Sequence, residues 1–163
     1  MQRLSLAGSG GLDIHNCENE LRQYADVHGL DPYIHFTGAV QNILDYLQAA
    51  DIFVFPTEND AFPSSVVEAM ACALPVITTP VGAIKTIISH GENGSLIKPG
   101  NEEQLFEALD VMIANPEIRT RLGQAGWNTV QDRYSAASAT AKYISLFQTT
   151  LEYEGSKQQN ANP

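Results

Sequence analysis

Two acidic residues, Asp60 and Glu68, flank a short segment whose residue types suit the binding of a phosphate and a sugar. The segment follows an apolar run, residues 51–56, and contains a proline and two serines. A loop between a strand and a helix leaves free backbone N–H groups at the helix start, where the helix dipole favours an anion. A carboxylate one or two turns into the helix can accept hydrogen bonds from sugar hydroxyls. Residues 60–71 therefore predict a seat for a sugar nucleotide.

The spacing of Ser64 and Glu68 supports this interpretation. On a helix that begins at Pro63, the two side chains lie on one face, one turn apart. Proline suits the first helical position because its missing N–H would have no partner there. Since the neighbouring helical residues are almost all apolar, we expect the helix to be buried, and Glu68 with it. A buried carboxylate is costly without a partner, and a pair of ligand hydroxyls would supply one.

A purely structural role for the second acid stays open at this point. Ser65 and Glu68 also fit the S-x-x-E pattern of a capping box, in which the carboxylate binds the backbone of its own helix. That alternative leaves Asp60 and its place at a strand end unexplained.

The composition restricts the possible partners. The chain has 163 residues, enough for one domain with a substantial core. Its net charge is −10 and only nine residues are Lys or Arg, which argues against nucleic acid as a partner. We expect no direct membrane insertion, because no run of eighteen apolar residues and no secretion signal is present. Two scattered cysteines, Cys17 and Cys72, suit neither a disulfide scaffold nor a metal site and favour a cytoplasmic location.

Strand and helix signals alternate along the chain. Strands are predicted at residues 3–7, 33–37, 52–55, 75–79 and 95–98, and helices at residues 16–28, 41–49, 63–72, 83–89, 102–114, 117–134 and 138–153. This order predicts an α/β fold with a Rossmann-like, doubly wound parallel sheet of about five strands, helices on both faces and extra C-terminal helices. Ligands of such sheets bind at the carboxyl ends of the strands. The loops at residues 8–11, 38–40 and 57–64 all follow strands, so we expect them to meet at one edge.

Six short segments resemble a known family and occur in the family's order. They are residues 4–10, 34–40, 50–57, the E-x7-E-like element at 60–71, the strand at 73–77 and the G-x-N-G turn at 91–94. Together they resemble the C-terminal, donor-binding half of family 4 glycosyltransferases of the GT-B type, also called glycosyl transferases group 1. Each segment is a weak signal alone, but six in register are a strong one.

The resemblance implies which residues contact the ligand. The acid that corresponds to Glu68 holds the ribose of the nucleoside diphosphate, and the acid that corresponds to Asp60 faces the donor sugar. Backbone amides between them, at Phe62, Ser64 and Ser65, meet the diphosphate or the sugar.

Two glycine-containing loops are implied to line the same cleft. Gly8 and Gly10 belong to the first loop, and Gly38 and Val40 lie against the nucleotide base. The resemblance identifies no catalytic residue with certainty and no metal ligand.

The implied activity is retaining transfer of a hexosyl group from a nucleotide-diphosphate sugar, of UDP or GDP type. The acceptor would be a glycan or a lipid-linked glycan, in polysaccharide or glycoconjugate biosynthesis. Such enzymes are expected to need no cofactor or metal, because dipoles and basic side chains stabilise the departing diphosphate. The full-length protein is expected in the cytoplasm, at the periphery of the inner membrane.

Three positions depart from the family pattern. Asp60 stands where the family usually has Glu, which shortens the reach to the sugar by one methylene. Ala61 replaces a glycine and loses the freedom to adopt a positive φ. Thr86 stands where many members have a further acid. These departures bear on the donor sugar more than on the nucleotide.

The resemblance also implies what the chain lacks. Residues 1–153 would form the nucleotide-sugar-binding domain without its first strand and helix, residues 154–163 a disordered tail, and the N-terminal acceptor domain would be absent. We therefore expect the chain alone to be inactive in transfer. The missing strand would lie between residues 3–7 and 52–55, so we predict that these two strands pair directly, in the order 2-1-3-4-5. A neighbouring molecule filling the gap is the alternative.

Two functions of other classes remain open. The first is a non-catalytic, Rossmann-like module that binds a partner protein and whose acids are structural. The second is a phosphorylase or epimerase domain of related fold.

Overall fold

The computed structural model describes residues 3–8 and 17–160, without the side chains of residues 152 and 154–160. The chain divides into two units, Met1–Tyr46 and Leu47–Pro163. Each unit has its own sheet, and each is described by itself.

Within residues 3–8 and 17–46, the first unit contains a two-stranded parallel sheet, one complete helix and the start of a second helix. Strand β1 (Leu4–Ala7) pairs with β2 (Ile34–Gly38) in the register Leu4 to Ile34. Helix α1 (Glu18–Val27) connects them, as a parallel crossover requires. It is anchored by Arg22, whose guanidinium carbon lies 4.3 Å from the ring centroid of Phe36 on β2. Helix α2 (Ile43–Ala49) begins in this unit and ends in the next.

Within residues 47–160, the second unit contains three parallel strands and five complete helices. Its sheet has the order β3 (Phe53–Phe55), β4 (Val76–Thr78) and β5 (Ser95–Leu96). The helices are α3 (Ser64–Ala71), α4 (Ile84–Ile87), α5 (Glu102–Ala114), α6 (Pro116–Arg133) and α7 (Ala136–Asn160).

The core of the second unit lies on both faces of this sheet. Successive side chains of a strand point to opposite faces. Accordingly Val76 packs in a cluster with Met70 of α3 and Ile84 of α4, whereas Ile77 packs in a second cluster with Met112 of α5 and Leu122 of α6. All of the central strand β4 is buried, as expected for a parallel strand covered on both sides.

The fold class predicted from the sequence is confirmed, but the predicted single sheet is wrong. The five strands are parallel to their partners, yet β1 bonds to β2 alone and β3 to β4 alone among the strands of the described residues. The order 2-1-3-4-5 required a β1–β3 pair. No such pair is present among the strands of the described residues. The prediction was wrong because a strand pattern in the sequence does not specify which strand is its neighbour.

Helix α7 runs to Asn160, seven residues beyond its predicted end, so the backbone is helical at residues 154–160, where a disordered tail was predicted. The polar residues of this stretch include Lys157, Gln158 and Gln159, which all have good helix propensity. Polarity alone therefore did not mark the helix end. No helix in the described part of the chain is both long enough and apolar enough to span a membrane.

Helix α3 ends in a Schellman motif that is built on an alanine. The N–H of Ala73 donates to the carbonyl of Met70 (3.0 Å), and the N–H of Leu74 donates to that of Ala69 (3.1 Å). Ala73 has a φ of +56° and is the one non-glycine residue with positive φ in the described ranges. Glycine is the usual residue at this place because it has no Cβ to clash.

Candidate functional site

The chain that leaves β3 is held by two buried threonines of the neighbouring strand end. The hydroxyl of Thr78 donates to the carbonyl of Phe55 (2.7 Å), and that of Thr79 donates to the carbonyl of Thr57. Both threonines are fully buried. The side chains thus extend the contact between β3 and β4 past the last residues of the strands and fix the start of the loop that carries Asp60.

Asp60 closes a turn within this loop. Its carboxylate Oδ1 accepts a hydrogen bond from the backbone N–H of Phe62 (2.9 Å), the bond that defines an Asx-turn. The carbonyl of Ala61 accepts a second bond from the N–H of Ala83 (3.0 Å), in the loop after β4. Because the Phe62 amide is already bonded to Asp60, a ligand that uses this amide must displace the carboxylate.

Helix α3 begins directly after this turn with two free donors. Pro63 is its N-cap, with φ −73° and ψ 96°, so the helix starts one residue later than predicted. The N–H groups of Ser64 and Ser65 have no hydrogen-bond partner within residues 3–8 and 17–160. Free N–H groups at the positive end of a helix are the arrangement that binds a phosphate.

Glu68 lies one turn into α3, on the same exposed face as Ser64. The predicted shared face is confirmed, but the predicted burial of Glu68 is wrong. The core takes the opposite side of the helix, Val66, Ala69 and Met70, and leaves Glu68 in solvent. The apolar sequence did not show this, because the packing partners decide which side of a helix is covered.

The carboxylate of Glu68 has no hydrogen bond or ion pair with any residue that the structure describes. The capping box that remained open at the sequence level does not form. Its serine would have to be the N-cap, whereas Ser65 lies inside the helix and Pro63 is the cap. Glu68 is thus free to accept bonds from a ligand.

The negative charge of Glu68 affects the neighbouring thiol of Cys72. Burial raises the pKa of the Cys72 thiol, and the nearby Glu68 carboxylate raises this pKa further. The two residues are four apart, so their side chains are adjacent on the helix surface.

Sequence reasoning missed an aromatic and basic cluster beside the loop. The ring of Tyr134 lies 6.4 Å from that of Phe62, centroid to centroid, and the guanidinium of Arg133 lies 5.4 Å from the Tyr134 ring. Arg133 also donates to the carbonyl of Thr86 (2.9 Å). The residues come from the end of α6, more than 45 positions from Thr86, so no local motif could have indicated the contact.

In the first unit, the structure brings two of the predicted glycines together. The N–H of Gly8 donates to the carbonyl of Gly38 (3.0 Å), and both residues have positive φ. Apart from each glycine and its chain neighbours, no heavy atom of residues 3–8 and 17–160 lies within 4 Å of the place where a Cβ would stand, so these residues leave a ligand room to approach the backbone. Val40 is half-buried in the loop after β2. Gly10 lies outside the described residues.

A shallow depression of about 190 Å³ lies elsewhere in the second unit, beside the first turn of α5. It is lined by Glu58 and Glu102, together with apolar residues and the backbone of Gly100. The carboxylates of Glu58, in the loop after β3, and of Glu102, at the start of α5, oppose an anion there, so the start of α3 remains the candidate phosphate-binding site.

Comparison with known proteins assigns the chain to a family. Residues 2–115 match the sequence model of the family described as Glycosyl transferases group 1. The capsular polysaccharide biosynthesis glycosyltransferase CapM of Staphylococcus aureus is 30% identical over 127 residues, which cover 77% of this chain and 33% of that protein. The chain spans about a third of the length of the curated relatives it matches.

Solved structures agree with this assignment. The C-terminal domain of the group 1 glycosyl transferase LpcC from Francisella tularensis is 33% identical with a TM-score of 0.69, covering 73% of this chain and 63% of that one. Anabaena HepE, solved in complex with UDP, shares the fold, with a TM-score of 0.81 at 22% identity over 91% of this chain and 41% of that one. Because the family match covers more than half of its residues, this chain belongs to the group 1 glycosyl transferases.

Proposed function

We propose that this chain is the donor-binding half of a retaining glycosyltransferase and that the segment from Asp60 to Glu68 seats a nucleotide-diphosphate sugar. One observation carries the proposal. The unpartnered, exposed carboxylate of Glu68 lies on the same helix as the two free N–H groups of Ser64 and Ser65, one turn away. An anion seat and a hydroxyl acceptor at this spacing suit a diphosphate joined to a ribose.

Each group has a distinct role in this proposal. The free N–H groups and the α3 dipole bind the diphosphate oxygens and stabilise the negative charge that develops on them as the sugar departs. Glu68 accepts hydrogen bonds from the ribose hydroxyls, and Asp60 faces the sugar. From the resemblance alone, Gly8, Gly10, Gly38 and Val40 are proposed to contact the nucleotide. The transfer is proposed to need no metal ion.

The choice of donor and acceptor follows the relatives. HepE was solved with UDP and with UDP-glucose, so a UDP-sugar is the first candidate donor and a GDP-sugar the second. One relative from Campylobacter jejuni is named as acting on a diphospho-undecaprenol glycan, and CapM is named for capsular polysaccharide. We therefore propose a glycan or lipid-linked acceptor in polysaccharide biosynthesis. This chain spans a third of the length of such proteins. We therefore propose that the chain by itself binds donors but does not transfer sugar.

A cytoplasmic location belongs to the same proposal. Both cysteines, Cys17 and Cys72, are free thiols, as suits a reducing compartment. Peripheral attachment of the full-length protein to the inner membrane is proposed from the resemblance alone, and cell fractionation would test it.

One observation favours the alternative of structural acids, although only for Asp60. Its carboxylate is bonded to the backbone of its own turn, so part of its role is to hold the loop. Glu68 has no such bond. A partner-binding module with structural acids therefore predicts that removing Glu68 lowers stability, which its exposure in solvent argues against.

The test is calorimetric titration of the 163-residue chain with UDP, GDP, ADP and their glucose derivatives, using Glu68→Ala and the wild type. We expect the wild type to bind one nucleotide, and Glu68→Ala to bind it about 10- to 100-fold more weakly, the effect of losing hydrogen bonds to a charged group. The melting temperature should stay unchanged, because substitutions of exposed residues rarely change the free energy of unfolding by more than about 0.5 kcal/mol.

Glu107→Ala is the matched control, since it removes another exposed glutamate from the middle of a helix of the same unit. It should leave both binding and melting temperature unchanged. A wild type that binds none of the nucleotides would overturn the proposal. So would a Glu68→Ala variant that melts earlier but binds normally.

A further inference from the structure

We infer that Gly82 is a positioning residue for the sugar side of the donor seat, acting through direct backbone contact with Asp60 and Ala61. The inference rests on the proposed function and adds a residue that contacts no ligand itself. It concerns the turn after β4, residues 79–83, which packs against the loop after β3.

Gly82 permits an approach that no other residue could make. Its φ is +48°, and a Cβ at this position would lie 2.1 Å from the carbonyl oxygen of Asp60 and 2.6 Å from that of Ala61. Real Cβ atoms essentially never come closer than 3.0 Å to such neighbours. Both contacts are to backbone, which cannot rotate away as a side chain would. Any side chain at this position must therefore displace the loop or the turn.

The next residue adds a hydrogen bond to the same contact. The N–H of Ala83 donates to the carbonyl of Ala61 (3.0 Å), so the turn and the loop are joined at adjacent positions. The N–H of Phe62, the residue after Ala61, donates to the carboxylate of Asp60. The position of this carboxylate is thus set by the turn after β4.

The conformation of Ala61 explains why alanine is tolerated there. Within residues 3–8 and 17–160 the only non-glycine residue with positive φ is Ala73, so Ala61 has an ordinary φ. The loop does not need a glycine of its own. The conformational freedom that it depends on lies across the contact, in Gly82.

This arrangement separates the two ends of the site. Asp60 lies at the contact with Gly82, whereas Glu68 lies one turn into α3, which is anchored by its own buried residues. A side chain at position 82 should move the Asp60 carboxylate and leave Glu68 in place. Binding of a nucleotide sugar should then suffer more than binding of the bare nucleotide.

Two substitutions at position 82 and two controls isolate the contact. Gly82→Ala introduces both the clash and the φ strain, whereas Gly82→Asn introduces the clash with a residue that tolerates positive φ. Gly91→Ala is the strain control, since Gly91 has a φ of +77° and open space around a Cβ. Gly123→Ala is the clash control, because its Cβ would lie 2.0 Å from the carbonyl oxygen of Ala73, at the other end of α3.

The first measurement needs no ligand. Amide hydrogen exchange at Ala83 reports its bond to Ala61, and we expect both Gly82 variants to accelerate it about tenfold or more, while Gly91→Ala and Gly123→Ala leave it unchanged. Circular dichroism checks that each variant is folded. Unchanged exchange at Ala83 in folded Gly82 variants would overturn the inference.

The second measurement compares titrations with UDP and UDP-glucose. We expect Gly82→Ala and Gly82→Asn to weaken the binding of UDP-glucose about tenfold more than the binding of UDP, which is the effect of losing about one hydrogen bond. The controls should weaken the binding of both ligands equally or leave it unchanged. In an Asp60→Ala background, Gly82→Ala should add nothing further to the difference, since the carboxylate that it displaces is gone.

If Gly82→Ala weakened the binding of UDP and of UDP-glucose equally, the contact would not act on the sugar part of the donor. That result would overturn the inference and leave the proposed function intact. A wild type that binds neither UDP nor UDP-glucose, nor another pair of the panel, would overturn the proposed function and the ligand part of the inference together. The exchange measurement would still decide whether Gly82 sets the loop.

Discussion

Glu68 and Cys72 are one turn apart on α3, and the carboxylate changes the chemistry of the thiol. The pKa of Cys72 is raised first by burial and second by the negative charge of Glu68, because both disfavour the thiolate. Alkylation requires the thiolate. Cys72 therefore offers a direct measure of the charge at the proposed ribose-binding position.

Replacement of Glu68 by Gln should lower the pKa of Cys72 by removing the second cause. The rate of iodoacetamide alkylation at Cys72 should then rise at a fixed pH near 8 and its pH profile should move to lower pH, but burial should keep this pKa above its ordinary value. The exposed Cys17 of the same chain is the internal reference, and its rate should not change. An unaltered Cys72 profile in Glu68→Gln would contradict the described proximity.

Sequence reasoning located the residues of the site better than their environments. The free donors at Ser64 and Ser65, and the face shared with Glu68, follow from local helix geometry and could be predicted. The exposure of Glu68 could not, because the apolar residues of α3 suggested burial on all sides and only the packed core shows which side is covered. The bond of Asp60 to Phe62 and the approach of Gly82 depend on loop conformation, which spacing does not encode.

At the scale of the elements, the buried side-chain amide of Asn93 holds the turn before β5 in place through hydrogen bonds. The side chain of Asn93 accepts a bond from the N–H of Ser89 (2.8 Å) and donates to the carbonyl of Ile87 (3.1 Å) and the hydroxyl of Thr129 (3.0 Å). It therefore connects the end of α4, the turn and α6. The sequence indicated only a turn at this place, because two of the three partners are local but the third is 36 residues away.

Asn93→Ala should lower the free energy of unfolding by about 1–3 kcal/mol, since buried polar groups lose their partners. Chemical denaturation followed by circular dichroism measures this. Asn128→Ala, which removes an exposed asparagine of α6, should change the free energy of unfolding by no more than about 0.5 kcal/mol. Equal effects of the two substitutions would mean that the Asn93 bonds do not stabilise the fold.

The order and type of the elements could be predicted, because apolar periodicity and breakers act locally. Helix α5 has the predicted bounds, and its start is capped by Asn101, whose side chain accepts the N–H of Gln104. The pairing of strands could not be predicted equally well. A strand pattern does not specify its neighbour, and the expected β1–β3 pair is replaced by two separate sheets.

On the scale of the whole molecule, the division after Tyr46 separates the predicted ligand residues into two groups. Gly8, Gly38 and Val40 belong to the first unit, and residues 60–68 to the second. The ligand contacts that the resemblance implied for each group remain proposals. The net charge of −10 also bears on an anionic ligand, because the charge of the molecule as a whole opposes an anion, whereas the dipole at the start of α3 favours it locally.

The alanine that ends α3 leaves room for a more heat-resistant variant. An alanine in the left-handed conformation is strained by about 1–2 kcal/mol relative to glycine. Glycine in turn lowers the free energy of unfolding by about 0.4–1 kcal/mol, because it gives the unfolded chain more conformational freedom. Ala73→Gly should therefore raise the free energy of unfolding by about 0.8 kcal/mol, the difference between the middles of these two ranges, seen as a higher melting temperature in calorimetry. Ala71→Gly, inside the same helix, should do the reverse. A lower melting temperature for Ala73→Gly would show that its methyl group contributes more than its backbone strain costs.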